Sequence, residues 1–404
     1  MKLGILGLGT VGGGVWEILN SPKLKKYDIT LKTAVVRGLQ KYTSYQEQGL
    51  NLTQDAYEML NDPDIDVVVE VMGGIDTPYE YIKYALSNQK HVVTANKAVL
   101  ARHFEEFINI ARENKVTILY EASVGGGIPL IKPLRQNARI NEFYEISGIL
   151  NGTSNFILSK MSKEALDFSE VLKLAQDMGY AEVDPSDDID GVDVARKLSV
   201  ISSTVFEKNL PLDKISVSGI RNISASDMEF AASRNMDIKL IATANYDEKG
   251  YFACVEPVIL CKSSIFAQVS GAFNIGMAKG DNLKEVSFYG EGAGRYATAN
   301  AVISDLLDIY LEENIKLPEI DFSELDVSSK QANYYIRIDK NEIKESFLEK
   351  VISKEQIKII SDKMIILNGI SLGEIQKITT SIGMKNSEYF VARIDASINL
   401  DKFA

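Results

Sequence analysis

An aspartate and a lysine four residues apart, Asp193 and Lys197, close the most acidic stretch of this chain. From Gly179 it reads GYAEVDPSDDIDGVDVARK, and six of the twelve residues from Glu182 to Asp193 are acidic: Glu182, Asp184, Asp187, Asp188, Asp190 and Asp193. No Lys or Arg occurs in it before Arg196. An ammonium so placed can protonate or stabilise an oxygen on which charge develops, and the carboxylates can hold a cationic substrate. Two other chemistries compete. One is a solvated loop with an i, i+4 ion pair, worth only a few tenths of a kcal/mol. The other is a calcium loop, with Ser186, Asp188, Asp190 and Gly191 as its first, third, fifth and sixth positions. Its twelfth position would be Lys197, where a bidentate Glu is required, so the calcium loop is excluded.

The elements that must position these groups are readable. Pro185 and Gly191 make the acidic part a loop. From Val192 the apolar residues Val194, Leu198, Ile201 and Val205 recur at helical spacing, which puts Asp193 and Lys197 on one helix face. A helix over Asp167–Met178 ends at Gly179, just before the loop. Upstream, Ile140–Leu150 reads as a strand, and Asn151-Gly-Thr-Ser-Asn155 as a turn with a helix N-cap.

The N-terminal third is built differently. Lys2–Leu6 is a short apolar strand that runs into Gly7-Leu-Gly9-Thr10-Val11-Gly12 and then a helix. Gly7 permits the tight turn, Gly9 the approach of a pyrophosphate and Gly12 close helix–strand packing. The helix start presents N–H groups to the anion. The second strand, Ile29–Val36, ends in Arg37 with Lys41 nearby, where an NAD enzyme carries an acid for the ribose 2′-OH. Arg suits a 2′-phosphate, so NADP is favoured over NAD, though a solvent-facing Arg fits the position too. Strands at Asp66–Val71, His91–Thr94 and Val116–Tyr120 alternate with helices at Pro78–Leu86 and Phe104–Asn114, the pattern of a doubly wound parallel sheet. Gly73, Thr94, Lys97 and Glu121 fall at the carboxyl ends of these strands, where such sheets bind ligands. Lys97 reads as a site residue or a surface residue opening a helix. His91 and His103 are too isolated for a metal site. The bend Glu121-Ala-Ser-Val124-Gly-Gly126-Gly-Ile128-Pro129 offers one carboxylate and turned-out carbonyls to a hard cation, or serves as an ion-free hinge.

The chain has 404 residues, 45% hydrophobic and 25% charged, with a net charge of −12. That length suits two or three globular domains, and the acidity argues against nucleic-acid or anionic-membrane partners. Cys254 and Cys261 have no metal spacing and read as free thiols of a cytoplasmic protein; the N-terminus reads as a strand rather than a signal peptide. Strands over Lys239–Asn245, Tyr251–Leu260 and Glu285–Tyr289 suggest a second, α+β domain. It ends with the glycine turn Gly290–Arg295, a helix over Thr298–Leu311 and a polar linker. The last seventy residues follow the order βαββαβ, the ferredoxin-like plan. The expected division is a Rossmann domain over 1–128, a substrate and dimerisation domain over 129–320, and an ACT-like domain over 330–404.

Together these pieces resemble homoserine dehydrogenases, specifically the short bacterial type with a C-terminal ACT-like module. The matching segments are GLGTVG (7–12), EVMGG (70–74), HVVTANKA (91–98), YEASVGGGIP (120–129), ILNGTSNFI (149–157), GYAEVDPSDDIDGVDVARKLSV (179–200) and GEGAGR (290–295). The resemblance implies reversible reduction of L-aspartate 4-semialdehyde to L-homoserine, in threonine, methionine and isoleucine biosynthesis. It implies Lys197 as proton donor, Asp193 beside it, and Glu182, Gly179 and Asp188 at the substrate. Lys97 and Gly294 would lie near the cofactor. A monovalent cation, sodium, would sit at Glu121, Val124, Gly126 and Ile128, and the assembly would be a homodimer or homotetramer. Where a glycine-bearing loop usually follows the first ACT strand, this chain has Asp339–Ser346, charged and without glycine, which weighs against an amino-acid effector.

Overall fold

A computed structural model describes residues 1–247, 250–313, 315–323, 330–338, 348–383 and 388–403. By contact the chain forms two compact units: Met1–Phe143 with Arg196–Leu212 and Gly280–Ser323, and Tyr144–Ala195 with Asp213–Lys279 and Glu324–Ala404. These boundaries differ from the three sequential segments expected.

The first unit holds a six-stranded parallel sheet of β1 (Lys2–Leu6), β2 (Thr30–Val35), β3 (Asn51–Thr53), β4 (Val67–Glu70), β5 (His91–Thr94) and β6 (Ile118–Leu119). Its order is β3-β2-β1-β4-β5-β6, the doubly wound dinucleotide-binding order. Strands such as β4, Val-Val-Val-Glu, are buried throughout, as a sheet covered on both faces requires. Leu3, Ile5, Val67, Val69 and Val93 share a core with Ala299, Val302, Ile303 and Leu306 of the helix Arg295–Leu311. That helix, expected with the middle domain, belongs by packing to the Rossmann core. Gly13 and Gly14 permit this, because a Cβ on either would stand 2.9 Å from Arg295. The helix Lys97–Glu113 starts seven residues earlier than the spacing predicts. Asn96 caps it, and it bends at His103 (φ −126°).

The second unit is organised on a mixed sheet. Its strands are β7 (Phe143–Ile149), β8 (Ser216–Val217), β9 (Met236–Asp247), β10 (Gly250–Cys261) and β11 (Phe273–Gly280). After β12 (Lys284–Glu291), a strand of the first unit, come β13 (Gln331–Ile338), β14 (Ile357–Ile359), β15 (Met364–Ser371) and β16 (Tyr389–Ile394). The order in this unit is β11-β7-β9-β10-β16-β13-β15-β14, with β8 on β10. β9 and β10 form a long antiparallel hairpin, and β10 pairs in parallel with β16 at Val258↔Arg393 and Ile259↔Ile394. β16-β13-β15-β14 are antiparallel neighbours. The last segment is thus one continuous sheet with the middle of the chain. The first helix of the expected βαββαβ plan, Ile343–Ile352, lies outside the described residues up to 347, and the loop Asp339–Ser346 lies wholly outside them. Among the described residues no helix is long and apolar enough to cross a membrane.

Candidate active site

At the carboxyl edge of the parallel sheet, Gly7 turns the chain with φ +97°, and a Cβ on Gly12 would collide with the Gly7 carbonyl. Gly9 is the N-cap of the helix Thr10–Leu19, without a side-chain cap, and the place its Cβ would occupy is open space. The first N–H groups of that helix, from Thr10 and Val11 on, have no intrahelical acceptor. They and the open space fit an anionic dinucleotide. Arg37 stands exposed just beyond β2, its carbonyl bonded by the Gln54 amide. The positions of Cβ on Gly73 and Gly74 are open as well. Lys97 begins its helix half-buried. Thr94 is fully buried, and its hydroxyl donates to Glu70 at 2.6 Å, so its side chain is committed within the protein. Gly294, the N-cap of the helix Arg295–Leu311, has φ +139°.

The acidic stretch is more ordered than a loop. Ser186–Ile189 forms a helical turn, and Val192–Val205 is the expected helix. Asp193 and Lys197 lie one turn apart on it, 5% and 8% exposed. The side-chain amide of Asn151 donates to Asp188 at 2.6 Å and to Asp193 at 2.9 Å, drawing two carboxylates onto one group. The Asn151 carbonyl oxygen accepts from the Ser154 N–H and hydroxyl. Asp190, with no basic neighbour in the sequence, is bound in two places by Arg221, which also reaches Ser186. Asp184 accepts from Ser186. Glu182 and Gly179 are exposed on the turn between helices, where Gln176 holds the Glu182 carbonyl and Thr153 that of Tyr180. Sequence reasoning found Asn151 only as a cap and missed Arg221. The amide's bonds to Asp188 and Asp193 span 37 and 42 residues and leave no periodic trace.

The glycine bend departs from expectation in one respect. The Glu121 carboxylate does not face into the bend. It accepts from the N–H groups of Leu130, Ile131 and Lys132 at 2.6, 3.0 and 2.6 Å, closing the start of the helix Ile131–Ala138. A cation at this bend would therefore be held by carbonyl oxygens. Gly125 and Gly126 have φ +82° and +59°, and a Cβ on Gly126 would collide with the Gly292 carbonyl, so both the turn and the approach of the 290–295 segment require glycine. Val124 and Ile128 are buried around it. Behind Glu121, the fully buried Asp305 accepts the Glu121 N–H at 2.9 Å. Burial, reinforced by the Glu121 charge, pushes its carboxyl well above the usual range. Among the described residues no cluster of three or more His, Cys, Asp or Glu forms a metal site.

A family model described as homoserine dehydrogenase matches residues 129–307, and another, described as the homoserine dehydrogenase NAD-binding domain, matches 7–121. The homoserine dehydrogenase of Synechocystis is 43% identical over 318 residues, 76% of this chain and 73% of that one. The crystal structure of a homoserine dehydrogenase from Thiobacillus denitrificans superposes with a TM-score of 0.86 at 31% identity, covering 98% of both chains. A hyperthermophilic archaeal homoserine dehydrogenase solved with NADPH gives 0.66 at 26%, over 78% of this chain and 99% of that one. With the glycine turn, the Asn151-held carboxylates and the Asp193–Lys197 helix in place, the chain belongs to the homoserine dehydrogenase family, an NAD(P)-dependent oxidoreductase.

Proposed function

We propose that the enzyme interconverts L-aspartate 4-semialdehyde and L-homoserine with Lys197 as the proton donor to the aldehyde oxygen. The observation that carries this is a buried ammonium one helical turn from Asp193, whose carboxylate Asn151 clamps. A bound reduced nicotinamide supplies the hydride. As charge develops on the oxygen, Lys197 stabilises it and gives up a proton, then recovers one from solvent. Glu182 and Asp188 provide negative charge for the substrate ammonium. NADP is the favoured cofactor, because Arg37 follows β2, exposed, where an NAD enzyme carries an acid, and because the archaeal relative was solved with NADPH. Sodium at the carbonyls of Glu121, Val124, Gly126 and Ile128 would brace the bend. The protein is read as a cytoplasmic homodimer or homotetramer, and its ACT-like end as a stiffening or assembling module rather than a threonine sensor.

Purified protein with homoserine and either NADP+ or NAD+, followed at the reduced-cofactor absorbance, tests the reaction and the cofactor together. Lys197→Met should lower turnover by roughly 10²-fold or more while NADPH binding stays near wild type. Near-normal turnover in that variant would remove Lys197 from its role.

A further inference from the structure

Glu70, the last residue of β4, is fully buried at the edge of the sheet where the cofactor is expected. Both its oxygens accept: Oε1 from the Met72 N–H at 2.8 Å, Oε2 from the Thr94 hydroxyl at 2.6 Å. The Thr94 oxygen in turn accepts the Asn96 N–H at 3.0 Å. The Asn96 amide donates to the Gly74 carbonyl at 2.9 Å, while its oxygen caps the helix that Lys97 opens, accepting from Ala98 and Val99. The bonds close a ring: Glu70 to Met72, along the chain to Gly74, across to Asn96, to Thr94 and back. The ring ties the loop after β4 to the loop after β5. An apolar residue would be cheaper to bury, since a buried carboxylate costs free energy unless hydrogen-bonded.

We propose that Glu70 is a positioning residue, its carboxylate holding the loops Met72–Gly74 and Thr94–Lys97 in the arrangement that receives the nicotinamide cofactor and orients Lys97. The inference rests on the dehydrogenase reading above. The ionised group suits the ring best, because it accepts from both donors with full charge and has no hydrogen of its own to place. Once protonated it carries a hydrogen that competes with that of the Thr94 hydroxyl, and it accepts only as a weaker, neutral partner. Burial pushes this carboxyl up to about 7, against the hydrogen bonds from Thr94, the Met72 N–H and Asn96. Those three groups, which bear on its titration from both loops, are all neutral. The ring should therefore loosen as pH falls through neutrality.

The test is NADPH affinity, by fluorescence titration from pH 6 to 9, for wild type, Glu70→Gln and Thr94→Val. Glu70→Gln mimics the protonated form. Its dissociation constant at pH 8.5 should be roughly ten-fold weaker, as loss of a bond to a charged group implies. The ratio of the two proteins' constants cancels the titration of the cofactor's own phosphate, and it should shrink toward one below pH 7. Thr94→Val removes the strongest hydrogen bond opposing the effect of burial, so its midpoint should move to higher pH. That measurement stands independently of Glu70→Gln. A pH-independent ratio with an unmoved Thr94→Val midpoint would overturn the proposal and leave Glu70 a structural acid. Homoserine oxidation by wild type at pH 9 keeps the parent reading separate: it survives the failure of the Glu70 proposal, and its own failure shows as no oxidation by any of the three proteins.

Discussion

Asn151 does two jobs with one amide, and they can be pulled apart. Its oxygen caps the helix Gly152–Glu164, and its nitrogen holds Asp188 and Asp193. Asn151→Asp keeps an equally good cap but sets a third carboxylate against the other two. Turnover should fall about ten-fold or more, the worth of a hydrogen bond to a charged group, with the cap intact. Unchanged kcat and KM would show that the clamp is incidental. Glu182→Gln acts on substrate charge instead and should raise the KM for homoserine with little change in kcat; an unaltered KM would count against it. Glu70 makes the opposite bargain, position at the expense of stability. Its folded value of about 7 lies above the ordinary 4.5, so between those pH values the folded protein keeps a proton the unfolded chain has lost. Stability from this group is complete below pH 4.5 and lost as pH rises through 7. Glu70→Gln escapes that loss, so its advantage in urea should grow across the window to as much as about 3 kcal/mol. A stability difference that ignores pH would contradict a buried, titrating carboxyl.

Among the elements, the short run Ser216–Arg221 governs the acidic turn. Ser218 donates to the Val255 carbonyl of β10, Ile220 to the Ile189 carbonyl, and Arg221 grips Asp190. Gly219 lies so close to Ile189 and Asp190 that a Cβ would collide with their backbone. Gly219→Ala should therefore displace the turn and raise the KM for homoserine several-fold. Arg221→Ala breaks an exposed pair, worth about 0–1 kcal/mol, and should raise that KM, and lower thermal stability, much less than Gly219→Ala does. Equal effects of the two would mean that backbone contact does not set the turn. None of this was legible beforehand. Arg221 lies 31 residues from Asp190, and Ser216–Val217 is too short for any periodicity. The parallel sheet was legible, because apolar runs such as Lys2–Leu6 and His91–Thr94 are punctuated by Gly7 and by Asn96. β3 was not, with three residues and one of them exposed. Asp193 and Lys197 could be placed on one face because helical spacing is periodic. The direction of the Glu121 carboxylate could not, because it depends on N–H groups nine to eleven residues on.

For the molecule as a whole, the question is whether the last segment can be removed. A chain ending near Pro318 loses β13 and β16, and with them the strand that pairs with β10 at Val258 and Ile259. It also orphans two buried acids of the second unit. Asp227, fully buried, accepts from Arg337 and from the Tyr335 hydroxyl; Glu256 accepts from Arg393 at 2.6 Å. Removing one partner of a buried pair costs about 3–5 kcal/mol, because the remaining charge stays desolvated. Two such losses and an opened strand edge approach the whole stability of an ordinary domain, about 5–15 kcal/mol. The truncated chain should therefore lose cooperative unfolding of the second unit and its activity. Arg337→Met isolates one pair while keeping every strand. It should lower stability by about 3–5 kcal/mol and leave kcat and KM for homoserine near wild type at 25 °C, since the bonds it gives Asp227 and the Asn222 carbonyl lie outside the 179–193 turn. A truncated enzyme with full thermal stability and activity would show the segment to be a detachable appendage. Loss of activity in folded Arg337→Met would instead mean that this ion pair tunes catalysis.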